Sequence, residues 1–248
     1  MAKNAMTKVE TAAPAIGFAD NKGLEFMSKA MQEEYAGMEF QLDRVKFPSA
    51  GSTVFELPTE GENAEVMKEI TGVIVLNHPA YAYYATAYKG GNNPPDCCSF
   101  DGRQGIGTPG GNCHDCPMNR YGTSTGKGQG KACKNRRMLY IIREGEYFPL
   151  MLSVPSGSLK TWQAYAKHHL AQLRKLSDVV TQITLRKATS STGVIYSQMV
   201  FSTVRLLEPE EKAAIERASE QAKGYAAQFA MMAITPVADG GTGKNNAT

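Results

Sequence analysis

Short runs of alternating apolar and polar residues, a long glycine-rich loop holding clustered cysteines, and one closing amphipathic segment predict a mainly β protein of the α+β class. Five or more strands, with a helix between the later ones, suit an OB-like small barrel carrying an inserted metal ribbon and a C-terminal helix. A generic α+β sandwich is the alternative that the pattern leaves open. The 248 residues allow one large domain with a real core, and 42% hydrophobic and 21% charged residues are ordinary for a soluble protein.

Residues 1–22 are rich in Ala, Lys, Thr and Asn without periodicity, and are expected to be disordered. The folded domain is expected over 23–234, and a flexible tail over 235–248. Leu24 to Met38 reads as a short helix with Leu24, Met27, Met31 and Tyr35 on one face. Phe40 to Phe47 alternates as a half-buried strand does, and Val54–Leu57 and Glu69–Leu76 are the next two strands. His78-Pro79 marks a strand end. Tyr81, Tyr83 and Tyr84 then either line a binding face or pack a core.

Residues 90–137 contain no run suited to a long strand or helix, so this insertion needs its own organiser. Strand character resumes at Met138–Ile142 and Tyr147–Val154, a hairpin across Glu144-Gly145-Glu146. Ser156 or Ser158 caps a helix running to about Leu173, with Leu159, Trp162, Ala166, Leu170 and Leu173 as its buried stripe. Trp162 at that spacing reads as core. Val179–Lys187 and Val194–Leu207 form an antiparallel pair. The last helix starts near Pro209, with Glu208, Glu210 and Glu211 at its positive end and Ile215, Ala218, Ala222, Tyr225, Phe229 and Met232 as its stripe.

Cys98, Cys113, Cys116 and Cys133 read as C-x14-C-x2-C-x16-C, a spacing that suits one Zn2+ ion and makes the insertion a zinc ribbon at about 90–137. Cys113-His114-Asp115-Cys116 is a knuckle that binds one metal through two sulfurs, with His114 facing solvent. Adjacent residues point in different directions, so only one of Cys97 and Cys98 is a ligand. Cys98 is favoured because Cys98-Ser99-Phe100-Asp101-Gly102 contains a turn that folds the chain back. Cys97 is then a free thiol. Four thiolates close the coordination sphere, so the zinc is expected to be structural. The deaminase signature His-x-Glu with Pro-Cys-x2-Cys is absent.

The formal net charge of +3 conceals an asymmetry. Arg103, Arg120, Lys127, Lys131, Lys134, Arg136, Arg137 and Arg143 are opposed between 97 and 143 only by Asp101 and Asp115. Part of that excess offsets thiolate charge. The rest is interleaved with Phe100, Tyr121 and Tyr140, a combination that suits phosphates and unstacked bases of a single strand. Gly122-Thr123-Ser124-Thr125-Gly126-Lys127-Gly128 fails as a phosphate loop, having three residues between its glycines and no flanking strand and helix. On helical spacing, adjacent His168 and His169 do not share a face and are a surface and a partly buried residue. No carboxylate cluster or nucleophile motif is visible, so catalysis is not expected.

The run Pro95-Asp96-Cys97-Cys98-Ser99-Phe100-Asp101-Gly102, followed by Cys113-His114-Asp115-Cys116-Pro117-Met118-Asn119, Lys131-Ala132-Cys133 and Pro155-Ser156-Gly157-Ser158-Leu159-Lys160, resembles a family of small phage and mobile-element proteins. That family carries a C-S-x-D-G … C-x2-C-P-x-N … K-A-C pattern, and the resemblance covers about residues 95–160. It implies single-stranded DNA binding or a replication accessory role, with Cys98, Cys113, Cys116 and Cys133 as ligands and Cys97 outside the pattern. The architecture is also similar to the zinc-ribbon-bearing OB domain of the large subunit of eukaryotic replication protein A. One departure is the tail. Residues 235–248 contain only Asp239, offset by Lys244, so recruitment of partners through an acidic C-terminal peptide is not expected.

The expectation is therefore a non-catalytic, zinc-stabilised, single-stranded DNA-binding protein of phage or mobile-element replication or recombination. Replication or recombination proteins are its possible partners, and an interaction module docking such a partner is the alternative. No apolar run approaches membrane-spanning length, and the polar N-terminus lacks a signal core. A cytoplasmic location with reduced thiols is expected, where clustered cysteines bind metal rather than pair.

Overall fold

The computed structural model describes residues 21–38, 40–48, 51–57, 64–86, 94–124, 130–191 and 193–234, with side chains of the last helix to residue 227. The expected disordered start through residue 20, the tail from 235, and Lys127 lie outside the described residues. The order is α1 (Asn21–Glu34), β1 (Arg44–Val45), β2 (Phe55–Leu57), β3 (Glu65–Met67), β4 (Glu69–Tyr83), β5 (Cys97–Ser99), β6 (Gln104–Gly107) and β7 (Gly111–Asn112). Then follow β8 (Lys134–Ile142), β9 (Leu150–Val154), α2 (Leu159–Leu170), β10 (Val179–Thr189), β11 (Ile195–Leu206) and α3 (Pro209–Ile234).

β4 is the axis of the sheet. Its 15 residues pair with β8 along one edge, from Val73 to Ala82. The other edge is divided. β10 takes Glu69–Val73 and β5 takes Tyr81–Tyr83, so residues 74–80 have no strand partner on that side. Beyond β8 lie β9 and then β1, the one parallel neighbour; beyond β10 lies β11, and beyond β5 lie β6 and β7.

The central strands are apolar on both faces because both faces are covered. Alternation sends Val73, Tyr140, Ile142 and Val180 to a layer with Leu24 and Met27 of α1 and Ala214, Ile215, Ala218 and Ala222 of α3. It sends Ile70, Ile74, Leu139, Ile141, Leu152, Ile183 and Met199 to the opposite layer, with Phe55, Leu57 and Trp162. Phe40, Phe148 and Tyr225 seal the first layer with ring centroids 4.7 and 5.8 Å apart.

The α+β class and the C-terminal helix are present, but the sheet does not close into the expected barrel. β1 is only two residues long and does not pair with β11. The outer edge of β11 is already occupied by side chains. Met199 N–H donates to Ser158 Oγ (2.9 Å), and its carbonyl accepts from Thr161 Oγ1 (2.8 Å). An edge capped in this way has no ladder to offer another strand.

Four local expectations change. α1 begins at Asn21 and ends at Glu34, leaving Tyr35 exposed. Within Phe40–Phe47 only Arg44–Val45 is strand, extended by a bridge from Lys46 to Glu56. β4 continues through His78-Pro79 instead of stopping there. Proline lacks an N–H, and a strand with one unpaired edge tolerates it. The stripe of α2 is rotated: Trp162, Tyr165 and His169 are buried, whereas Leu170 is 64% and Leu173 97% exposed. Polar partners make this possible. Tyr165 Oη and Thr181 Oγ1 share a hydrogen bond at 2.7 Å, and His169 Nε2 lies 3.0 Å from Thr203 Oγ1.

The start of α3 is as its glutamates imply. The Glu211 carboxylate accepts the Glu208 N–H at 2.8 Å and two guanidinium N–H groups of Arg205 at 2.7 Å each.

Truncating a fully buried sheet residue, Ile141→Ala, is expected to lower the unfolding free energy by about 2–5 kcal/mol. Leu173→Ala is expected to change it by less than about 0.5 kcal/mol. Urea unfolding of both variants tests the register of α2. A large cost at Leu173 would restore the stripe read from periodicity.

Candidate metal centre and basic arm

Beyond its buried half, β4 runs on with β5, β6, β7 and the start of β8 as a thinner arm that carries all five cysteines. β5 is a strand, so Cys97 and Cys98 point to opposite faces. Cys97 lies opposite Tyr83 and Gly107, and Cys98 opposite Ala82 and Ile106. The consequence is a different cysteine set from the expected one. Cys97, Cys113, Cys116 and Cys133 line one small cavity of about 10 Å3, together with Tyr81, Tyr83 and Gly105. Cys98 is buried outside it. The Asp101-Gly102 turn does fold the chain back between β5 and β6, as the sequence implies, but the strand before it turns Cys97 rather than Cys98 toward the other three cysteines.

Gly105 explains how the cavity stays small. A Cβ there would stand 3.1 Å from Cys97 Sγ. At Gly107 (φ +103°), a Cβ would meet the Asp96 carbonyl at 2.2 Å, so no other residue fits.

Hydrogen bonds fix the loops around the sulfurs. Cys113 N–H donates to the Arg103 carbonyl (2.7 Å) and Cys133 N–H to the Met118 carbonyl (2.8 Å), tying the knuckle to both flanking segments. Asn119 Nδ2 donates to the Cys113 carbonyl at 2.7 Å. The Asp101 carboxylate accepts N–H bonds from Gln104 (2.9 Å) and Arg103 (2.7 Å), which hold its pKa below the usual range. His114 is exposed and bonded to Asp115, away from the cavity, as its place in the knuckle implies.

Burial pushes the Cys133 thiol up to about 11, and the neighbouring Cys113, Cys116 and Cys97 sulfurs push the same way, against Lys131. A buried thiol that is costly as an anion, with three more sulfurs beside it, is well matched to a divalent cation. Among the described residues, no three His, Cys, Asp or Glu side chains already stand in a metal-holding arrangement. The donor set nonetheless fits zinc: four soft sulfurs around one small space, with no carboxylate or histidine among the cavity's lining residues. Such a site is closed and holds structure; it leaves no position for a reacting water.

The expected nucleic-acid residues divide by position. Arg103 and Arg120 are exposed and make no side-chain hydrogen bond or ion pair among the described residues. Tyr121 is 80% exposed, with Lys131 Nζ 5.1 Å from its ring centroid and bonded to Asn119 Oδ1 at 3.1 Å. Lys134 donates to the Lys131 carbonyl and stays at the surface. Phe100 is half-buried, 6.2 Å from the His78 ring. Tyr140 does not belong in this group. At 1% exposure it is part of the core and offers no face to a base.

Arg136 and Arg137 emerge on opposite faces of β8. Arg136 is at the surface near Arg44, and burial together with that like charge lowers its pKa. Arg137 donates Nε–H to Asn77 Oδ1 (2.6 Å) and lies over Trp162, 5.9 Å from its ring centroid. Arg143 is consumed by an ion pair with Glu146.

Comparison with known proteins returns no family model, no curated protein and no solved structure that matches this chain. Among the described residues no helix is long and apolar enough to cross a membrane.

Purified under reducing conditions, the protein is expected to bind about one zinc per chain. Cys97→Ser should lose it and Cys98→Ala retain it, as read by elemental analysis. Because metal binding releases thiol protons, and burial holds the one on Cys133, zinc affinity should rise with pH. Retention of metal by Cys97→Ser with loss in Cys98→Ala would return Cys98 to the ligand set.

Proposed function

We propose that the protein is a non-catalytic binder of single-stranded DNA, whose arm is a zinc ribbon held by Cys97, Cys113, Cys116 and Cys133. The observation that carries the reading is the arm's surface. Arg103 and Arg120 are uncommitted cations, and Tyr121 is an exposed ring with Lys131 beside it, all around one sulfur cavity.

The physical logic is one of ordering. Cations on a floppy glycine-rich loop would bind a phosphodiester weakly, since ordering them opposes binding. Cross-linking the loop through a metal removes that cost beforehand. Phosphates are then met by Arg103, Arg120 and Lys134, and a base face by Tyr121, while the metal does no chemistry on the strand. Replication or recombination of phage or mobile-element DNA is the setting that the motif resemblance implies.

Fluorescence anisotropy with a labelled oligonucleotide should show binding that weakens steeply between about 50 and 200 mM salt. Arg103→Ala/Arg120→Ala should weaken it at all sequences and reduce the salt slope by about 1.4, roughly 0.7 per lost phosphate contact. Absent binding, or affinity indifferent to salt, would reject the reading.

A further inference from the structure

The motif-bearing arm is not the only cationic surface. Residues 159–178, comprising α2 and the turn after it, contain Lys160, Lys167, Arg174 and Lys175 against Asp178 alone. Apart from Leu159-Lys160 at its start, no cysteine or recognised motif marks this segment. In the fold it faces the stretch of β4 that has no strand partner, residues 74–80. Between them runs an open groove of about 830 Å3.

The chemistry of its walls is one-sided. Arg137, Lys167 and Lys175 line it, and no carboxylate does. The floor includes Trp162, Ala166 and Leu170, whose exposure is otherwise unexplained for an apolar helix residue.

Arg137 is the most informative of these. Its Nε–H is spent on Asn77 and its plane lies over Trp162, which holds the side chain in place. Its remaining guanidinium N–H groups have no acceptor among the described residues. A half-buried guanidinium with unused donors in a cationic groove fits an anionic oxygen. Lys167 makes no side-chain bond among the described residues, and Lys175 has only a loose pair with Glu216 at 3.9 Å between exposed groups.

Tyr81 stands between the groove and the arm. Gly102 packs on Pro79 and Tyr81, where a Cβ would be 3.3 Å from Tyr81 Oη. The Tyr81 hydroxyl is in turn an electrostatic neighbour of Arg137. A path therefore leads from Arg103, next to Gly102, past Tyr81 to Arg137 and on to Lys167 and Lys175.

We propose that the groove between the unpaired edge of β4 and α2 is a channel for the phosphodiester backbone of a single nucleic-acid strand, continuing the contact begun on the arm. This rests on the nucleic-acid reading above and extends it to Lys167 and Lys175, which lie outside every motif. Three neighbouring cations, opposed only by the loose Lys175–Glu216 pair, select a polyanion. An extended acidic polypeptide, its apolar side chains resting on Ile74, Trp162, Leu170 and Leu176, is the competing occupant.

Trp162 is the only tryptophan of the chain, so its emission reports on this groove. The test uses an oligothymidylate of about 20 nucleotides, fluorescein-labelled for anisotropy and unlabelled for tryptophan emission. Lys167→Ala/Lys175→Ala is the variant of choice, since both lysines are at the surface and Arg137 packs on the core. The oligonucleotide should bind, alter Trp162 emission in the unmodified protein, and bind the lysine variant about tenfold more weakly at low salt with a salt slope reduced by about 1.4. Binding with unaltered emission and full affinity in the lysine variant overturns the groove and leaves the arm reading standing. No anisotropy change at all rejects the underlying reading as well. An emission change with polyglutamate but not with oligothymidylate also overturns it and assigns the groove to an acidic polypeptide.

Discussion

Everything that distinguishes this molecule depends on one strand being longer than its core. β4 is gripped between two apolar layers over its first half, where Val73 and Ile74 are no more than 1% exposed. Its second half leaves the core and becomes a platform. The arm, its sulfur cavity and the cationic groove are all consequences of what pairs, and what does not, along the edge opposite β8. Burial of the first half is what makes an exposed second half affordable.

The same division separates stability from function. The core layers would persist without the cysteines, since neither contains a residue of the cavity. The arm has no comparable apolar burial. Its order comes from backbone hydrogen bonds, from Asp101 and Asn119, and from whatever holds Cys97, Cys113, Cys116 and Cys133 together. The metal proposed at that point would stabilise a surface rather than a core, which is why the cations beside it are candidates for binding and the sulfurs are not.

Much of this was readable from sequence. The terminal helix, the β10–β11 pair, the β8–β9 hairpin and the need for an organiser between 90 and 137 follow from periodicity and composition alone. What escaped has identifiable causes. His78-Pro79 reads as a stop because proline breaks interior ladders, and sequence does not disclose that one edge there is unpaired. Tyr165 looks like a surface residue until Thr181, distant in sequence, supplies its hydrogen bond, and it is Thr203 that makes His169 rather than His168 the buried one of the pair. The choice between Cys97 and Cys98 turns on which face of a three-residue strand meets the knuckle, a register fixed only by pairing with Tyr81–Tyr83. Tyr140 was misplaced because an aromatic beside cations has the same local signature whether it points outward or into α3. The groove cations carry no motif and become neighbours only through the fold.

The central claim is that a metal-ordered arm presents cations to a single strand. Oligonucleotide affinity measured before and after removal of metal by a chelator, with the circular-dichroism spectrum of the core followed in parallel, tests it most directly. The account predicts roughly a tenfold or greater loss of affinity with the core spectrum retained, restored by added Zn2+. Unchanged affinity in demonstrably metal-free protein would contradict it.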